Sequence, residues 1–196
     1  MIFNGRKVVL ASASPRRLAI LRQVGVEPEV CAVDIEEIKE LSGNMDEEAI
    51  TVRNATMKAQ AAAEKYDDAL VIAADTIVVL EGQIFGKPAD EAEAKGMLSL
   101  LSGRVHQVYT GICLIDTSSG RSISGADICQ VTFSRLSNQI IDEYVADGEP
   151  MDKAGAYAIQ GKGALLVDKI DGDYYTVMGL SLTLLRQLAG VLAMMG

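Results

Sequence analysis

The sequence predicts an α/β fold built on a mixed sheet, on three observations. Strand-like and helix-like segments alternate from the start of the chain, the pattern of α/β proteins. Residues 70–74, Leu-Val-Ile-Ala-Ala, form a continuous apolar run, as expected of a central strand buried on both faces. Two hairpin signals follow further along, so antiparallel pairs accompany the crossover units.

The elements follow in order. Residues 7–11 read as a short buried strand. Ser14 stands where a helix N-cap belongs, Pro15 suits the first helical position, and Gly25 can end that helix. Residues 29–35 return as a strand. The next helix runs over 46–66, with Val52, Ala55, Ala59, Ala62 and Tyr66 as an apolar stripe at helical spacing. After the run at 70–74, a strand over 76–80, the pair Glu81-Gly82 and a strand over 83–85 make a hairpin. Asp90 caps a helix that ends near Gly103, with Glu93 in the reciprocal position. Long strands over 105–116 and 121–133 are joined by the turn cluster Thr117-Ser-Ser-Gly120. A short helix over 139–147, a strand over 163–170 and a helix over 179–194 complete the chain. The last helix turns Leu182, Leu185, Leu188 and Leu192 inward.

Composition narrows the function. A chain of 196 residues, 49% hydrophobic and 23% charged, suits a single domain over residues 1–196 with a well-filled core. No apolar run is long enough to span a bilayer, and the N-terminus lacks a secretion-signal pattern. The expectation is a cytoplasmic protein with no membrane partner. A net charge of −9 argues against a nucleic acid polymer as partner, since such binding rests on neutralising phosphates. A small anion needs only a local basic pocket. Cys31, Cys113 and Cys129 are odd in number and form no Cys-x-x-Cys pair, so they read as three small buried side chains.

Several segments can carry chemistry. In Ser12-Ala-Ser-Pro-Arg-Arg17 a strand gives way to a helix. The first helical turn offers backbone N–H groups and the positive end of the dipole. Arg16 and Arg17 stand there against that dipole, at a cost of about 0.3–1 kcal/mol, which points to an anion partner. The plain alternative is an ordinary cap with solvated arginines. Asp75 follows an apolar strand at its exit, where a carboxylate can bind a metal, activate water or merely close a turn. Lys87 in Gly86-Lys-Pro88 adds a compact charge beside a glycine. Lys58 flanks its helix's apolar stripe, where a snorkelling surface lysine is the default. Gln160, with both donor and acceptor, can read the edge of a base or sit in a turn. A single His106 leaves little room for a Ser-His-Asp triad or a histidine-rich metal site, and can simply stabilise its loop. Any metal should be a hard ion held by carboxylates, magnesium or manganese.

Taken together, these segments resemble the Maf nucleoside triphosphate pyrophosphatases. The resemblance is carried in order by Leu10-Ala-Ser-Ala-Ser-Pro-Arg-Arg17, Ala74-Asp-Thr76, Gly86-Lys-Pro88, and Leu101-Ser-Gly103 with His106. It continues through Asp152-Lys-Ala-Gly-Ala-Tyr157, Ile159-Gln-Gly161, Gly172-Asp-Tyr-Tyr175 and Gly179-Leu180. It implies hydrolysis of a nucleoside triphosphate to a monophosphate and pyrophosphate. It also implies a strongly twisted mixed sheet flanked by helices around a deep cleft, of the Maf and inosine triphosphatase kind, and a homodimer. By resemblance, Asp75 matches the proton acceptor, and Arg16, Thr76 and Gln160 match positions tied to substrate choice. Ser12, Arg17, Glu37, Lys58 and Lys87 match other cleft positions, with Asp75 and Glu37 as holders of a divalent metal cation. The subgroup with Ala-Tyr-x-Ile-Gln-Gly acts on dTTP and UTP as nucleotide-pool house-cleaning, and Ala156 to Gly161 fits it. Two alternatives are a non-catalytic nucleotide-binding regulator of cell division and a hydrolase for inosine or methylated guanine triphosphates. Ser181 departs from the pattern by standing where proline is usual, and a looser turn is expected there.

Overall fold

The computed structural model describes Phe3, residues 5–38 and residues 45–195. Its strands are β1 (Val8–Leu10), β2 (Glu29–Val30), β3 (Leu70–Leu80), β4 (Gln83–Phe85), β5 (Val105–Asp116), β6 (Arg121–Phe133) and β7 (Val167–Asp171). Its α-helices are α1 (Pro15–Gln23), α2 (Glu47–Ala63), α3 (Glu91–Leu101), α4 (Asn138–Ala146), α5 (Tyr174–Met178) and α6 (Leu182–Met194). The strands form a seven-stranded sheet in the order β2-β1-β3-β5-β6-β7, with β4 paired to β3. β1 runs parallel to both neighbours, with Val9 opposite Glu29 and Val71. β4 is antiparallel to β3, and β7 to β6. The sheet is therefore mixed, as the sequence predicts.

Two compact units divide the chain. One comprises Met1–Asp75, Thr110–Asp127 and Gly179–Gly196, the other Thr76–Tyr109 and Ile128–Met178. In the first unit, Val9, Ala11, Val71 and Ala73 of the sheet pack with Ala55, Ala59 and Ala62 of α2. Small side chains on α2 let the helix lie close to the sheet. Gly111 of β5 is one such close approach, where an added Cβ would sit 2.3 Å from the Thr51 carbonyl carbon. Ser181 caps α6 by accepting from the Leu184 N–H at 3.1 Å, and its hydroxyl donates to Asp127 at 2.7 Å. The turn expected to be loose without proline is thus held by two bonds.

The second unit has its own core, in which Leu98 and Leu101 of α3 meet Val131 and Phe133 of β6 and Tyr144 of α4. His106 belongs to β5 rather than to a loop. It is 1% exposed, its Nε2 lies 2.8 Å from the Tyr157 hydroxyl, and it packs edge-on to Phe133 and Tyr157. Burial lowers its pKa to about 4. All three cysteines are buried thiols, as expected.

Four elements differ from expectation. β2 stops at Val30 because its partner β1 ends at Leu10, whose carbonyl takes a last bond from Cys31 N–H at 3.0 Å. Residues 70–80 form one continuous strand, so Asp75 sits mid-strand and not at a strand exit. The strand expected from 163 begins only at Val167, after a 3-10 turn over Gly161–Leu166. Gly163 there approaches the Ala158 carbonyl so closely that a Cβ would lie 2.2 Å from its oxygen. Helix α2, expected to reach residue 66, ends at Ala63, where the Lys65 and Tyr66 N–H groups close tighter turns onto the Ala62 and Ala63 carbonyls at 3.1 Å each.

Candidate active site

Side chains alternate across a strand, so Asp75 points to the same side of β3 as Ala73. Ala73 packs with the alanines of α2, and Asp75 accordingly meets that helix. Asn54 and Lys58 are four residues apart on α2 and share a face. Both lie on its buried side, at 1% and 9% exposure. Lys58 therefore is not the surface lysine that its position beside the stripe suggests. Its ammonium nitrogen lies 2.6 Å from Asp75 Oδ1 and 2.6 Å from Glu37 Oε1. Asn54 Nδ2 donates to the other Asp75 oxygen at 3.0 Å. Asp75 is 6% exposed, and a buried charge of this kind stands only when paired and hydrogen-bonded. Glu37 is exposed, so the cluster opens to solvent on its side.

The turn before α1 forms a second group in the same unit. Ser14 takes the cap position in extended conformation, but its hydroxyl makes no capping bond. Its N–H instead donates to Ser12 Oγ at 3.2 Å. The same oxygen accepts from Arg17 Nη1 at 3.0 Å, and Arg17 Nε donates to the Gly179 carbonyl at 2.8 Å. Arg17 thus ties the start of α1 to the segment before α6. Burial lowers the Arg17 pKa, Asp75 and Glu37 pull it up, and Arg16 pulls it down. Arginine stays charged through such shifts. Ser12 with Arg17, and Lys58 with Glu37 and Asp75, are thus two groups of one unit, and the charges of Asp75 and Glu37 act on Arg17.

Thr76, Lys87 and Gln160 belong to the second unit. Thr76 follows Asp75 on β3 and faces the opposite side of that strand. Lys87 is exposed just after β4, and the adjacent Gly86 carbonyl is fixed by Gly155 N–H at 3.0 Å. Gln160 is exposed immediately before the 3-10 turn. That turn is held by Glu149, whose carboxylate accepts from Lys162 N–H at 3.1 Å, Gly163 N–H at 3.0 Å and the Tyr144 hydroxyl at 3.0 Å. Sequence reasoning missed Glu149 and Asn54. The available signal for Asn54 was a polar residue within an apolar helical stripe, one turn before a lysine.

No group of three or more histidine, cysteine or acidic side chains gathers as a metal site among the described residues. Two carboxylates, Asp75 and Glu37, nevertheless converge on one ammonium group. Carboxylate oxygens are the donors a hard divalent ion of the magnesium type takes, with phosphate oxygens and water completing its shell, but here the Lys58 ammonium lies between the two, so an ion would use the oxygens facing away from it.

A match to the Maf-like protein family extends over residues 7–191. The chain belongs to the Maf family. Every candidate residue from Ser12 to Gln160 lies inside the matched region. The chain is 43% identical over 186 residues to the dTTP/UTP pyrophosphatase of Dictyoglomus thermophilum, covering 93% of this chain and 94% of that one. It is 47% identical over 185 residues to the dTTP/UTP pyrophosphatase of Bacillus cereus strain AH820, with coverage of 93% and 94%. Among solved structures, a HAM1 protein from Coxiella burnetii aligns over 96% of this chain and 99% of its own, with a TM-score of 0.55 at 19% identity. At that identity the likeness is one of fold.

Proposed function

We propose that this Maf chain hydrolyses dTTP and UTP to the nucleoside monophosphate and pyrophosphate, acting over residues 1–196 as one functional domain. The observation that carries the reading is Asp75, a buried carboxylate locked to Lys58 and, through it, to Glu37 in a chain 43% identical to a dTTP/UTP pyrophosphatase. Arg16, Arg17, Lys58 and Lys87 bind the triphosphate, and guanidinium forks suit its paired oxygens. The Ser12 hydroxyl already accepts two hydrogen bonds, which leaves its own proton to donate to a phosphate oxygen. Asp75 uses one lone pair on each oxygen for Lys58 and Asn54, and a carboxylate has about four such sites. It therefore keeps the capacity to orient a water against the α-phosphorus and to take its proton. The new bond forms between that water oxygen and the α-phosphorus. The bond from the α-phosphorus to the bridging oxygen breaks, and pyrophosphate leaves.

Asp75 and Glu37 are the residues that would hold a divalent cation, magnesium or manganese, which when bound neutralises charge on the phosphate oxygens. Thr76 and Gln160, with Arg16, choose the substrate. Gln160 offers one donor and one acceptor to a pyrimidine edge, and a base that leaves those groups unpaired is penalised. The same reading takes the protein as a cytoplasmic homodimer. The test is a panel of dTTP, UTP, CTP and inosine and 7-methyl-guanosine triphosphates with magnesium, scored by pyrophosphate release. Preference for dTTP and UTP supports the reading, and preference for a purine triphosphate defeats it.

A further inference from the structure

We infer that Asn54 is a positioning residue for the reaction, orienting the Asp75 carboxylate and the Glu37 segment from a single side chain. The inference rests on the reading of Asp75 given above. Asn54 is 1% exposed on α2, and no polar group so buried is held without cause. Its side chain makes three bonds. Oδ1 accepts from Ile38 N–H at 2.9 Å, and Nδ2 donates to the Ile38 carbonyl at 3.0 Å. The second Nδ2 proton goes to Asp75 Oδ2 at 3.0 Å.

The first two bonds pair the amide with a backbone unit and are sufficient to pin the chain at Ile38. The third is not needed for that. It commits Oδ2 of Asp75, so Oδ1 is the oxygen turned toward Lys58 and, across it, toward Glu37. Glu37 adjoins Ile38, so the two carboxylates are both set by Asn54. Partners that orient carboxylates holding a metal contribute about 10–100-fold to metal affinity or activity, and the same order is expected here.

Three variants test this: Asn54→Leu, Asn54→Asp and Asp75→Asn. Each is measured for folded fraction, for kcat and KM on dTTP, and for hydrogen exchange at the Ile38 amide. Asn54→Leu is expected to lower kcat per folded molecule about 10–100-fold, with KM within about threefold, and to speed Ile38 exchange. Asn54→Asp retains the acceptor for Ile38 N–H, the bond that protects that amide, but gives up both N–H donors, to the Ile38 carbonyl and to Asp75, and faces Asp75 with a carboxylate. It is expected to keep Ile38 protected while losing kcat as far as the leucine variant does. A merely structural asparagine would not separate these two readouts. Native kcat in folded Asn54→Asp overturns the inference, and that variant decides alone if the leucine variant does not fold. If folded Asp75→Asn turns over normally, the reading of Asp75 fails instead, whatever the Asn54 variants do.

Discussion

Asp75 carries the chemistry of the proposal, and its surroundings set what its loss should do. Replacing it with alanine removes both the proposed base and the central partner of Lys58. Turnover of dTTP should fall about a hundredfold or more, measured as pyrophosphate release per folded molecule. Gln160 is expected to behave differently. Gln160→Ala should leave turnover of the best substrate within about tenfold but narrow the preference for dTTP and UTP over CTP, because the proposal gives its bonds to the base and not to the reacting phosphorus. Equal selectivity in the variant and the parent removes Gln160 from the specificity set. Of this site, Asp75 was legible in the sequence as a lone carboxylate between two apolar runs, and the Ser12 to Arg17 turn as a strand-to-helix junction. Lys58 was legible only through the family resemblance, its own spacing suggesting a surface side chain, and Asn54 was missed. Helical periodicity shows which face is apolar, but a long aliphatic stem lets lysine sit at its edge either way. Only the position of Asp75 on β3, opposite that turn of α2, makes the lysine a buried partner.

Helix α2 carries Asn54 and Lys58, and its seat on the sheet decides where they lie. Gly111 of β5 leaves no room between strand and helix, since a Cβ there would fall 2.3–2.5 Å from the backbone of Thr51 and Val52. Gly111→Ala should therefore force α2 outward, costing about 1–3 kcal/mol in urea unfolding, with a loss of activity beyond that explained by the unfolded fraction. Ser181→Ala should cost about 1 kcal/mol by removing the α6 cap, with activity per folded molecule unchanged. Element boundaries set by local chemistry were readable. Asp90 caps α3 by accepting from Glu93 N–H, and the strands over 105–116 and 121–133 run between the bounds that the turn cluster at 117–120 sets. Boundaries set by a partner were not. β2 is short because β1 is short, and residues 161–166 turn rather than extend because Glu149 and the Gly163 approach to Ala158 hold them. Neither cause leaves a local trace in composition.

At the scale of the molecule, stability should depend on pH through His106. Its folded pKa, about 4, lies below the ordinary 6.5 because burial disfavours the charged ring. The unfolded chain therefore binds more protons between these values, so this contribution is complete above about pH 6.5 and is lost as pH falls toward 4. A midpoint for urea unfolding that drops across this window, and drops less in His106→Phe, is the expected outcome; identical slopes would remove His106 as the cause. The excess of acidic side chains gives the body a net charge of −9, yet the proposed substrate is itself a polyanion. In the proposed reading the basic side chains of the first unit, Arg16, Arg17 and Lys58, would act as a local field against the overall one. The most direct test is to identify the products formed from dTTP with magnesium by the native chain and by Asp75→Asn. Equal amounts of dTMP and pyrophosphate from the native chain, with turnover lost in the folded variant, is the predicted result. Formation of dTDP and phosphate, no hydrolysis at all, or full turnover by the folded variant would contradict it.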